Sequence, residues 1–162
     1  MERSLNERAA SVVALLGTGL LAGALFYGWA NVTPTFAAVP LDVHLAFRVE
    51  LMNRNAVVVQ ALMAVSFVSA VWLAIAAGGR VRALAAGATG LTAATFLVTR
   101  FGNVPYNQEM REWLAGALAA DYQQQLQVWG MFNDVRVATA VAAFALLIVA
   151  VTIARTPALL SR

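Results

Sequence analysis

Four stretches of this chain carry no charged side chain: residues 9–39, 55–79, 83–99 and 137–154. Each reaches or approaches the roughly 17–25 residues that carry an α-helix across a hydrocarbon core. Barrel strands cannot account for them, because such strands alternate in polarity and are about half as long. The runs predict an all-α protein, a bundle of four transmembrane helices, and make the lipid bilayer its solvent.

The charges that remain are few, 12% of the chain against about 25% in an ordinary soluble domain. All eleven positive side chains are Arg and no basic run exists, so the sequence offers no nucleic-acid footprint. Arg3, Arg8, Arg80, Arg82, Arg155 and Arg162 fall at the N-terminus, the second connection and the C-terminus, accompanied only by Glu2 and Glu7. Asp42, Glu50, Glu109, Glu112, Asp121 and Asp134 lie in or beside the first and third connections. Arg48, Arg54, Arg100 and Arg136 read as helix residues, which leaves Arg111 alone among the arginines of those connections. The positive-inside rule then places both termini in the cytoplasm of a multi-pass protein of the cell (inner) membrane. Without cysteine, disulfides, iron–sulfur centres and thiol redox chemistry are excluded. The first apolar run exceeds the h-region of a signal peptide and reads as a retained helix.

The pattern predicts one domain over 1–162, with helices at 9–31, 43–77, 81–103 and 121–154 and a short helix at 105–114. Thr33-Pro34 is expected to end the first helix and Pro105 the third, since the residue before proline avoids the α region. Asp42 is placed to cap the second helix, and Pro157 follows the end of the fourth. At ~1.5 Å per residue the second helix runs about 50 Å, well beyond a ~30 Å core. The second and fourth helices are therefore expected to extend into a polar extracytoplasmic cap. Gly19 and Gly23, at GxxxG spacing, leave a homo-oligomer open.

Polar residues line up at helical spacing toward that cap. Tyr122, Gln125, Trp129, Asn133 and Arg136 share a narrow stripe, as do Thr92, Thr95, Thr99 and Asn103. His44, Arg48 and Asn55 share a face, with Glu50 and Arg54 paired on another. Arg136 lies beside the last apolar run, where an unpaired charge costs at least ~2.5–3.5 kcal/mol. It calls for a partner, for which Glu112 or Asp121 is available, or for a wet cavity. His44 is the sole histidine, so a two-His iron triad is unavailable, although an ordinary pKa near ~6.5 suits it as a base.

These pieces, in this order, carry a likeness. Pro34 after the first helix, MNRN at 52–55, NVPYN at 103–107, and Trp129, Asn133 and Arg136 spaced as WxxxNxxR resemble the anthrone oxygenase family of small four-helix integral membrane proteins. The matching positions are Asn53, Asn103, Pro105, Asn107, Trp129, Asn133 and Arg136. The resemblance implies oxidation of an anthrone, a tricyclic polyketide, by molecular oxygen at its central methylene.

The leading reading is thus a membrane-embedded oxidoreductase, an oxygenase of a lipophilic aromatic, polyketide-like substrate, working without a cofactor through a stabilised carbanion. His44, Arg136 and Asn133 are the catalytic candidates, His44 as base and the other two as donors to the enolate. Asn53, Asn103, Asn107, Trp113, Trp129 and Tyr122 are the substrate-binding candidates, with the segment 103–113 as the roof of the pocket. In one alternative, a metal-dependent oxidase, His44, Glu50, Glu109 and Glu112 hold copper or iron. In another, the chain is a non-catalytic membrane module that binds a hydrophobic ligand or a partner protein.

Overall fold

The structure is a computed structural model that describes residues 4–154. Glu2, Arg3, Arg155, Pro157 and Arg162, used above for orientation and helix ends, lie outside the described residues. The chain forms helices long and apolar enough to cross a membrane: α1 (Leu5–Ala37), α2 (Leu41–Ala76), α3 (Gly79–Leu114) and α4 (Tyr122–Ile153). Each packs against its sequence neighbours and α1 closes against α4, giving an all-α four-helix bundle.

The seam between helices is built from small side chains. Ala10, Ala14, Ala85, Ala88, Ala140, Ala143 and Ala150 are fully buried and let the backbones approach closely, as membrane bundles require. Leu16, Leu20, Val58, Phe67, Val68, Ile75, Phe96 and Ile148 point outward instead. An outer surface this apolar along every helix is the inverse of a water-soluble bundle, whose free faces are polar. Gly19 is used inside the chain: a Cβ there would meet Phe144 of α4 at 3.0 Å.

Both proline expectations need correcting. Neither Pro34 nor Pro105 ends its helix; each follows a wide π turn, Gly28–Val32 in α1 and Val98–Asn103 in α3. Proline lacks the N–H that would close an i→i−4 bond and crowds the preceding turn. A π turn just before it relaxes the local ladder, and the rod continues to Ala37 and to Leu114. The segment 105–114 is therefore the end of α3, and α3 extends alongside α2 and α4. Asp42 does not cap α2 either: the N-cap is Pro40, with Asp42 inside the first turn.

The extended end has an apolar centre of its own. Leu45, Met110, Trp113 and Trp129 pack together there, separated from the alanine seam that holds the other end. Polar groups surround and penetrate this cluster, and they form the candidate site.

Candidate functional site

Three segments converge beside the aromatic cluster: the last turns of α1, the first turns of α2 and the first turns of α4. Between them lies an open cleft of about 360 Å³, with Phe36, His44, Arg48, Tyr122 and Trp129 among its lining. That volume is within the range of small-molecule sites.

Arg48 is the centre of the arrangement. Only 4% of it is exposed, and its guanidinium lies 3.9 Å from the ring centroid of Trp129 and 5.5 Å from that of Phe36. Nη1 donates to His44 Nε2 at 3.0 Å, one helical turn back. Because arginine can only donate, the imidazole accepts at Nε2 and is neutral in this arrangement. His44 in turn stacks on Phe36, ring centroids 5.1 Å apart and planes 3° from parallel. Nη2 of Arg48 is buried with no acceptor. A desolvated cation with an unused donor is a costly feature for a fold to keep.

Trp129 is held from behind. Asn107 Oδ1 accepts from its indole Nε1 at 2.8 Å, and Asn103 Nδ2 donates to its main-chain carbonyl at 3.1 Å. Asn103 is fully buried, fixed in register by the π turn that it ends. The motifs NVPYN and WxxxNxxR are thus two halves of one clamp: the first holds the tryptophan of the second. Deeper along α4, Asn133 Oδ1 accepts from Arg136 Nη2, and Arg136 Nε is buried without a partner.

His44, Tyr122 and Trp129 therefore line the cleft. Asn103 and Asn107 stand behind it as positioning groups rather than forming its roof. Trp113 is buried in the aromatic cluster, edge-on to Tyr122 at 6.3 Å, with its Nε1 unpaired. Asn133 and Arg136 sit below. Asn53 is apart from all of these, exposed and accepting from Arg111 at 3.0 Å.

The expected counter-charge for Arg136 is not there. Among the described residues no carboxylate pairs with Arg48 or Arg136; Glu112 is exposed, and Asp121 accepts from Gln125 at 3.1 Å. Nor do the proposed metal ligands meet. Glu50 pairs with Arg54 at 2.7 Å, Glu109 and Glu112 are exposed on α3, and His44 is engaged by Arg48. Among the described residues no three His or carboxylate side chains gather as a metal set would require. The hydroxyls of Thr92, Thr95 and Thr99 return to carbonyls of their own helix, and Thr95 also meets Thr139 at 2.8 Å.

The sequence reading missed Arg48 and Phe36 as site residues. For Arg48 the signal existed, since it shares a helix face with His44. Phe36 gave none, because an aromatic residue near the end of a membrane helix is ordinary.

The fold defines a class: an all-α bundle of four helices of membrane-crossing length, with a cation-centred cleft at one end. Within that class the chain belongs to the anthrone oxygenase family, whose model matches residues 49–146. The match includes the clamp and Arg136 but begins just after Arg48. No curated protein and no solved structure matches the chain.

Proposed function

We propose that this protein is a membrane-embedded oxygenase that converts the activated methylene of a lipophilic aromatic ketone, anthrone-like, to a carbonyl using O2. The carrying observation is Arg48 on the lining of a cleft of small-molecule size, its Nη2 buried beside Trp129 without an acceptor. Family membership supports the oxygenase class. The cleft supports the substrate class, offering aromatic surface and one strong donor. The sorting of arginines supports the cell membrane, with both termini in the cytoplasm and the cleft on the opposite side.

The chemistry needs no group beyond these residues. The substrate ring lies beside Trp129, and Arg48 turns to give its Nη2 hydrogen to the carbonyl oxygen. Loss of a methylene proton puts negative charge on that oxygen, where the guanidinium stabilises it. His44 acts as base once Arg48 turns toward the substrate and releases Nε2. The electron-rich carbanion passes one electron to O2; the carbon radical and superoxide then join as a peroxide. Cleavage of the O–O bond with departure of water leaves the new carbonyl, so that CH2 and O2 become C=O and H2O.

The test is O2 uptake and quinone formation from an anthrone by the purified protein in nanodiscs, set against spontaneous autoxidation. Wild type should exceed that background, and Arg48→Gln should lose about 10²–10³ of the excess, the usual effect of one such donor. No acceleration over background would overturn the oxygenase reading and leave a binding module. His44→Ala should retain a slow reaction that recovers at higher pH, where hydroxide replaces the base.

A further inference from the structure

We propose that the cleft selects an organic anion: a planar aromatic molecule whose ionised carboxylate or phenolate meets Arg48 while its ring lies along Trp129 and Phe36. The inference rests on the same cleft as the oxygenase reading and specifies the charge that its substrate carries: once ionised, the anthrone carbonyl oxygen is itself the phenolate that meets Arg48.

Every acid at this end of the bundle is either exposed or engaged elsewhere. On α2, Asp42 is exposed and Glu50 is paired with Arg54. On α3, Glu109 and Glu112 are exposed. Asp121, at the N-cap of α4, is bonded by Gln125, and Asp134 on α4 accepts from Trp29 Nε1 of α1 at 2.8 Å. The outer segment of α1, residues 28–37, contains no acid. Two guanidiniums, Arg48 and Arg136, are thus left in a poorly solvated place with no negative charge between them, and each keeps a buried N–H without an acceptor. The local neighbours of Arg48 cannot compensate: His44 is a neutral acceptor and the rest are aromatic faces. A low-dielectric site with a net positive field and an open side favours an anion. Aromatic side chains along the cleft, Tyr122 and the edges of Phe36 and Trp129, favour a flat apolar body, and a lone free donor group suits a carboxylate or phenolate better than a phosphate, whose three oxygens seek several donors.

The experiment compares 2-naphthoate with its neutral isostere 2-naphthamide, binding to the full chain in phosphatidylcholine nanodiscs, with empty nanodiscs subtracted. Naphthoate should bind wild type at least about tenfold more tightly, the usual scale of a charge-assisted bond. Arg48→Gln should erase that preference and Arg48→Lys should keep part of it. The wild-type ligand pair decides the matter even where a variant fails to fold. Equal binding of the two ligands would overturn the proposal. Competition by inorganic phosphate as strong as that by naphthoate would also overturn it, marking a headgroup or phosphate site. Turnover of a neutral anthrone without any charge preference would sink this inference and spare the oxygenase reading; charge-selective binding without turnover would do the reverse.

Discussion

Replacing Arg48 by methionine separates a cation kept for function from one kept for the fold. Arg48→Met preserves much of the side-chain length and the contact with Trp129 while removing the charge. The loss side has three parts: a desolvated cation–π contact of about 2 kcal/mol, a charged hydrogen bond to His44 of about 1.5–3 kcal/mol, and an unpaired imidazole Nε2 at about 1–3 kcal/mol. The gain side holds the several kcal/mol that a buried ion costs, together with about 1–3 kcal/mol for the unsatisfied Nη2. The two sides nearly cancel, so the variant should unfold within about 2 kcal/mol of wild type, as buried ions replaced by apolar residues often do. Naphthoate preference and oxygenase turnover should both disappear. Reversible unfolding in mixed detergent micelles, with binding and O2 uptake on the same sample, reads all three. A stability loss above about 4 kcal/mol would refute the reasoning, because the guanidinium would then be a structural strut.

Other expectations follow from the clamp and the packing. Gly102→Ala should lower the unfolding midpoint by the equivalent of about 1–3 kcal/mol, because its Cβ would come within 2.5 Å of Phe132 Cδ1; an unchanged midpoint would show that Phe132 moves freely. Asn107→Leu should cost about 1–3 kcal/mol for the stranded indole N–H and weaken ligand binding further, since Trp129 would lose its orientation; an undiminished affinity would remove Asn107 from the clamp. A reporter fused at Arg162 should be active only in its cytoplasmic form, and activity of a periplasmic form would invert the topology.

The sequence made the four helices legible because charge is too costly in hydrocarbon to be scattered at random, and its absence over long runs leaves few readings. Helix ends were less legible. Pro34 and Pro105 are strong stop signals locally, but a π turn ahead of each provides a way past that a residue-by-residue rule does not contain. The residues of the site were visible as polar positions, yet their roles depended on rotations that spacing does not fix. Asn107 and Trp129 are 22 positions apart, and only the fold turns them into partners. Arg48 was legible as a helix residue on the face of His44, but what distinguishes it is the Trp129 face, brought in from another helix.

The two π turns have a consequence for how this end of the molecule is aimed. A π turn accommodates one residue more than the α-turn it replaces, so side chains beyond it are rotated by roughly 100° from where an unbroken α-helical wheel would put them. In α1 and α3 that offset falls between the alanine seam and the segments carrying Phe36 and Asn107, with Asn103 closing the second turn. The buried stripe of the lower bundle and the inward face of the upper end are therefore phased independently. Adding or removing a single residue at 28–32 or 98–103 would swing the groups around the cleft without disturbing the packing beneath, making chain length at those two points a control over where Phe36 and the asparagine clamp point.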